Sequence, residues 1–310
     1  MKMNVLLGIG ILIGAVGAAQ ATVITSAVNG AWTNGATWGG GSVPGNGDGA
    51  VVNHAVSLSS SASVGGYVNV AAGGNGTLTL NNGAVLNSVS NSTLASANRT
   101  GATVINSGAV WTNAGRVLVC SGSGASGTMT LNGGKYVGSG TGTLLLGDKP
   151  FSNFNARVVL TNGASWVQQS YVQIQSTNVG TQTAYIDIYA NSLMQASYIL
   201  AATNTGTALS QGVNVRGGDL ILTQAAEGSA LQGAAKIYFD AGTIKFTGVD
   251  SLADYNTFTN SWNTWVDNGM ITSTAGYTAE ELKGALSFDG ADAIATIQPR
   301  LRTIKLIIIR

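Results

Sequence analysis

Apolar residues recur at alternate positions in seven short stretches of the chain, and each alternation ends at a glycine or an asparagine. The stretches superpose as GTLTLNNGAV from Gly76, GATVINSGAV from Gly101, GTMTLNGGKY from Gly127, ARVVLTNGAS from Ala156, AYIDIYANSL from Ala184, QGVNVRGGDL from Gln211 and AKIYFDAGTI from Ala235. Their third and fifth positions hold pairs such as Leu78 and Leu80, Met129 and Leu131, and Ile186 and Ile188. Two apolar residues separated by one give the period of a strand with a single buried face. The eighth position is Gly83, Gly108, Gly134, Gly163, Asn191, Gly218 and Gly242. Only Gly or Asn readily takes φ > 0, so this column predicts a turn in every repeat. Gly122 falls in a loop between repeats, where a side chain is expected to be tolerated. A further short strand follows each turn, for example Val110-Trp111, and another β-rich run precedes the next repeat: YVNV at Tyr67, RVLV at Arg116, TLLL at Thr143, YVQI at Tyr171.

Three short strands per repeat and starts about 24 to 29 residues apart describe a solenoid. The predicted fold is all-β, a right-handed parallel β-helix of about seven or more coils with a partly helical C-terminal cap. Stacked strands lie about 4.8 Å apart, so seven coils make a rod roughly 35 Å long. A lone coil cannot bury its inward side chains, and neighbours must cover them. Such a scaffold presents a long surface rather than a deep pocket.

The ends depart from the repeat. Residues 1–21 carry one lysine, an apolar run from Val5 to Ala19 and the small-x-small site Ala19-Gln20-Ala21, the pattern of a secretory signal peptide cleaved after Ala21. Residues 22–64 form a predicted N-terminal capping segment and first coil, residues 65–249 the coils, and residues 250–310 a C-terminal cap with helical segments and a terminal strand. In that cap Leu252, Tyr255, Phe258, Trp262, Trp265 and Val266 have helical spacing, and Thr278-Ala279-Glu280-Glu281 reads as a capping box. The cluster of Leu252, Tyr255, Trp262 and Trp265 is expected to close the stack over the Ile237 and Phe239 layer.

Composition narrows the functional classes. Charged residues are 9% of the chain, against about 25% usually, and 44 of 310 residues are glycine. Asn81, Asn106 and Asn132 align beside the turn, where stacked amides are expected to form a ladder. Removal of Lys2 with the signal peptide leaves a neutral mature chain, with no basic field for nucleic acid or anionic lipid. Cys120 is the only cysteine, so an exported chain has no internal disulfide. His54, the sole histidine, lies more than two coils away, which leaves Cys120 an inert thiol rather than a nucleophile.

Acid-base chemistry on a solenoid face needs carboxylates converging from adjacent coils. In the repeat register Asp187 aligns with Val159 and Asn214, Asp219 with Ser192 and Thr243, and Asp240 with Arg216. No column holds two carboxylates on neighbouring coils, and Arg216 with Asp240 reads as a surface ion pair. Asp148 and Lys149, near Phe151 and Phe154, read as a solvated turn. Gly45-Asn46-Gly47-Asp48 lacks the spacing of a stacked calcium repeat. No cofactor or metal is expected. Trp111, Tyr136 and Trp166 align in the third strand column as an aromatic strip, a ligand-binding platform if it faces outward and core if it faces inward.

Trp32, Trp38, the Val43-Pro44-Gly45-Asn46-Gly47-Asp48 turn, the GTLTL and NGG repeats, and Trp265, Val266, Gly269 and Ile271 late in the chain together carry a resemblance. The chain resembles bacterial exported β-helical repeat proteins of the autotransporter-passenger-like type, many of which bear a PEP-CTERM sorting signal. That signal's Pro-Glu-Pro and long apolar span are not matched by Gln298-Pro299-Arg300 and Ile304–Arg310, whose seven residues are too few to cross a bilayer. The resemblance implies a secreted or cell-surface protein, released, held by a partner, or a truncated relative of an anchored one. The expected function is an adhesive or structural solenoid without catalysis, with glycans or matrix and cell-surface components as partners. The alternative is a polysaccharide-processing lyase or hydrolase, and a third reading is carbohydrate binding on the aromatic strip.

Overall fold

The computed structural model describes residues 22–140, 142–147, 153–174, 182–201, 209–224 and 229–300. The expected signal peptide, the loop carrying Asp148, Lys149 and Phe151, and the apolar run from Ile304 lie outside the described residues.

The chain folds as a β-solenoid of about eight turns in which each coil pairs in parallel with the next. The longest ladder follows the sequence repeat residue for residue. Val56, Leu78, Thr103, Met129, Val158, Ile186, Val213 and Ile237 stack in one inward column, and Leu58, Leu80, Ile105, Leu131, Leu160, Ile188, Val215 and Phe239 in the other. All sixteen are buried. The runs between repeats form a second face, with Val117–Leu118, Leu144–Leu146, Val172–Ile174 and Ile199–Ala201 in register. The segments after the turns form a third, including Val85–Ser88, Val110–Asn113, Lys135–Gly138 and Ser165–Gln168. The three faces enclose one continuous apolar core running the length of the rod.

The turns keep the expected chemistry but not always the expected residue. Gly83, Gly108, Gly163, Asn191 and Gly242 have φ between 61° and 102°. In two coils the left-handed residue is one position earlier, Gly133 (φ 71°) rather than Gly134 and Gly217 (φ 101°) rather than Gly218. Those two coils and the Gly242 coil reach the third face one residue sooner: Leu131 to Tyr136, Val215 to Leu220 and Phe239 to Ile244 are each five residues, where Ile105 to Trp111 is six. Gly134 and Gly218 are required for another reason, since a Cβ on either would lie within 2.7 Å of neighbouring atoms. Gly122 also differs from expectation: its φ is 128° and a Cβ would meet Ala97 at 2.7 Å. The amide ladder runs through Asn106, Asn132 and Asn162, while Asn81 donates to Ser59 Oγ at 2.8 Å instead.

Both described ends of the rod are covered. At the first, Trp32 and Trp38 meet edge to face at 4.9 Å, and Trp38 Nε1 donates to the Trp32 carbonyl. At the other, helix α1 (Leu252–Asp267) begins at Ser251, whose hydroxyl accepts from Asp254 N, and lays Phe258, Trp262 and Trp265 against Phe246 at centroid distances of 4.8, 6.0 and 5.9 Å. Helix α2 (Ala279–Lys283) starts with the expected capping box. Strand Ala293–Ile297 closes the last edge by pairing antiparallel with Gly242–Phe246, and Ile271 covers Ile237. Leu252, expected inside this cluster, is 63% exposed, and Tyr255 is only half-buried, stacked on Phe288. No helix among the described residues is long and apolar enough to cross a membrane.

Candidate functional site

The aromatic strip faces inward. Trp111, Tyr136 and Trp166 are 0–1% exposed and pack on one another, Trp111 edge-on to Tyr136 at 5.8 Å and Tyr136 against Trp166 at 4.1 Å. Polar partners for Trp111 and Tyr136 sit inside the coil, whereas Trp166 Nε1 is buried without one among the described residues. Trp111 Nε1 donates to Ser88 Oγ at 2.9 Å, Ser88 donates to Asn113 Oδ1, and Asn113 also bonds the Tyr136 hydroxyl. The expectation of a ligand platform at these three residues is therefore corrected, because their rings are core and no ligand can reach them.

Cys120 is inert by the same criterion. Burial pushes its thiol up to about 12, against the backbone hydrogen bonds at Gly127 and Asn155 that lower it, and its Sγ lies 3.2 Å from the Asn155 carbonyl. His54 Nδ1 lies 3.1 Å from Ser26 Oγ in the first coil, far from Cys120.

The outward face of the longest ladder changes character along the rod. Up to residue 132 its strands present small side chains such as Thr77, Thr79, Ala102, Thr128 and Thr130. From the coil at Asn155–Thr161 onward the same outward positions carry Arg157, Tyr185, Asp187, Tyr189, Asn214, Arg216 and Tyr238. Alternation fixes their direction, since each flanks a buried residue of the inward columns.

Asp187 is the centre of this cluster. Its side chain is 2% exposed, and both oxygens are occupied: Oδ2 accepts from Arg157 Nε at 2.8 Å and Oδ1 from Asn214 Nδ2 at 2.8 Å. Arg216 Nε stands 3.7 Å from Oδ1 on the other side. A carboxylate this deep is sustained by its cations and amide. In return, the hydrogen bond to Asp187 raises the Arg157 guanidinium further above its ordinary value. The alignment places Asp187 beside Val159 and Asn214, as expected. Its cations stand on the diagonals, Arg157 two residues before Val159 and Arg216 two after Asn214, a distance that long side chains bridge. Reading columns alone misses both, and reading diagonals would have found them.

Two other alignments are corrected. Asp219 lies opposite Leu193 rather than Ser192. Asp240 does not face Arg216, because a bulge pairs Arg216 with Ala241 and leaves Asp240 as the extra residue. Asp240 instead accepts from Ser273 Oγ, Thr274 N, Thr274 Oγ1 and Ala275 N at 2.6–3.0 Å. Partial burial pushes its carboxyl up, but the hydrogen bonds from Thr274, Ser273 and Ala275 outweigh that and hold it below its ordinary value.

Two open cavities flank Arg216. One of about 420 Å³ is lined by Asn155, Arg157, Thr183, Tyr185, Asp187, Asn214, Tyr238 and Thr274, and the other, of about 480 Å³, by Asp240, Thr274, Pro299 and Arg300. Arg216 and Thr274 line both. Tyr185 and Tyr238 stand 6.2 Å apart, and Gly212 makes their approach possible, since a Cβ there would meet the Tyr238 ring at 2.7 Å. Burial, with Tyr185 beside it, raises the Tyr238 phenol above its ordinary value, so it stays neutral. Among the described residues no group of three His, Cys, Asp or Glu side chains is placed to hold a metal ion.

The fold and site define a parallel β-solenoid with a polar, arginine- and tyrosine-lined groove on its longest face. Comparison with protein-family models, with curated proteins and with solved structures finds no match.

Proposed function

We propose that the chain is an exported β-solenoid of the cell surface or extracellular matrix, an interaction scaffold that binds without turning its ligand over. The observation that carries this reading is the state of the two carboxylates on the grooved face. Polysaccharide hydrolysis by paired carboxyl groups needs one raised enough to donate a proton. Asp187 has both oxygens engaged by Arg157 and Asn214, and Asp240 is held below its ordinary value by four donors. Each carboxylate has a donor on both of its oxygens, which leaves neither one free to face a glycosidic oxygen. The buried thiol of Cys120 offers no nucleophile in their place.

The low charge, the solenoid surface, the signal-like N-terminus and the resemblance to autotransporter-passenger-like and PEP-CTERM exoproteins support an extracellular setting. Glycans and matrix components are the partners such a surface suits. The test is a prolonged incubation of the full chain with pooled acidic and neutral polysaccharides, following new reducing ends and unsaturated products. A scaffold yields none above a boiled control. Product formation that disappears in Asp187→Asn or Asp240→Asn would replace this reading with a polysaccharide-processing enzyme.

A further inference from the structure

We propose that the groove centred on Arg216 binds an acidic oligosaccharide, with a sugar carboxylate on the Arg216 guanidinium and sugar rings against Tyr185 and Tyr238. This deepens the scaffold reading and rests on it for the absence of turnover.

The three arginines near this groove have unequal shares of partners. Arg157 is committed to Asp187, and Arg300 is committed to the Gly276 carbonyl and Glu281 while stacking on Tyr277 at 4.0 Å. Arg216 has only the long 3.7 Å approach to an oxygen that Asn214 already occupies, and its ring neighbour Tyr189 is 5.9 Å away. Among the described residues its terminal guanidinium nitrogens have no hydrogen-bond partner, and the side chain is 41% exposed between the two cavities. A planar fork of free N–H donors matches a carboxylate or sulfate bidentately. Asp187 below it is paired with Arg157, so the first cavity, lined by Arg157, Asp187 and Arg216, carries one net positive charge, while Asp240 in the second cavity is occupied by the donors of Ser273, Thr274 and Ala275.

The rest of the lining selects a saccharide over a small anion. Neutral hydrogen-bonding side chains, Asn155, Thr183, Asn214 and Thr274, suit hydroxyl groups, and the two tyrosines offer faces to sugar rings. The groove crosses the coils of Arg157, Asp187, Arg216 and Tyr238 and the Thr274 turn below, four strand spacings or roughly 19 Å. That length fits a short chain of sugars and exceeds an isolated anion.

The experiment is calorimetric titration of the full chain with α-1,4-tetragalacturonate, its neutral methyl ester, galacturonate monomer and inorganic phosphate. The tetramer is expected to bind, with the ester and the monomer at least tenfold weaker and phosphate weaker still. Arg216→Ala and Arg216→Gln should lower tetramer affinity at least tenfold, Arg216→Lys should recover only part of it, and Tyr238→Ala should cost several-fold. Arg99→Ala, on an exposed loop elsewhere, should leave it unchanged. No tetramer binding, equal binding of monomer or phosphate, or indifference to Arg216 and Tyr238 would overturn the site. Products formed during an Arg216-dependent titration would instead uphold the site and overturn the non-catalytic reading.

Discussion

Replacing Trp111 by alanine tests whether the aromatic column is structural. The indole is fully buried, and a tryptophan removes about 150–250 Å² from water, or about 4–6 kcal/mol at 25 cal/mol/Å². Mutational experience with Trp→Ala in cores gives about 3–5 kcal/mol. The edge-on contact with Tyr136 and the hydrogen bond to Ser88 fall within that sum, so a loss of about 4–5 kcal/mol is expected. With a urea m-value of about 3 kcal/mol/M, the unfolding midpoint followed by far-ultraviolet circular dichroism should fall by about 1.5 M. Tyr185→Ala, on the half-buried outward face, should move it by less than about 0.5 M on the same scale. A Trp111→Ala shift below about 0.3 M, under 1 kcal/mol, would refute the core assignment. Trp111→Phe, which keeps most of the volume, should retain tetragalacturonate binding, because the groove is built from later coils.

Thr103 interrupts an apolar column with a fully buried hydroxyl that has no partner among the described residues, so Thr103→Val should raise stability by about 1 kcal/mol; a loss of stability in the same urea experiment would contradict this. Gly83→Ala, at φ 75° with open space around it, should cost about 1 kcal/mol, whereas Gly134→Ala should cost more because Ile105 and Asn106 stand within 2.7 Å of the new Cβ; the reverse order would refute the turn geometry. Asp240 has a folded pKa below its ordinary 3.8, so its contribution is complete above that value and is lost as pH falls through the lower folded value. Asp240→Asn should flatten the stability profile below pH 3.8 and speed amide exchange at Thr274 and Ala275, and an unchanged profile would count against the Asp240 turn. Expressed in a bacterial host, the full chain should leave the cytoplasm with Thr22 as its first residue, which mass spectrometry of the recovered protein checks.

The coils were legible because each one writes the same local pattern, two inward apolar residues and a left-handed turn, and parallel stacking then sets the register without long-range information. The one-residue slips at Gly133 and Gly217 were not legible, since two adjacent glycines satisfy the pattern at either position and the choice depends on where Tyr136 and Leu220 must land on the third face. Direction along the third strand was undecidable for Trp111 and Trp166 from alternation in four residues. The complete burial of both indoles, with the Trp111 N–H received by Ser88, settles it. The groove escaped notice because its ion pairs run diagonally between coils and because the Asp240 bulge removes the partner that the column assigned to Arg216. At the C-terminal end, helical spacing identified α1 but not its tilt, which leaves Leu252 in solvent and gives Phe246 to the tryptophans.

The most direct test of the whole account is to locate a bound acidic oligosaccharide on the folded chain by amide chemical-shift mapping. Titration with tetragalacturonate should shift resonances of Tyr185 to Tyr189, Gly212 to Arg216, and Tyr238 to Ala241. It should leave Val110–Asn113, Lys135–Gly138 and Ser165–Gln168 unmoved. Perturbations concentrated on those three strands, or none at saturating ligand, would contradict the claim that this solenoid works through the Arg216 groove.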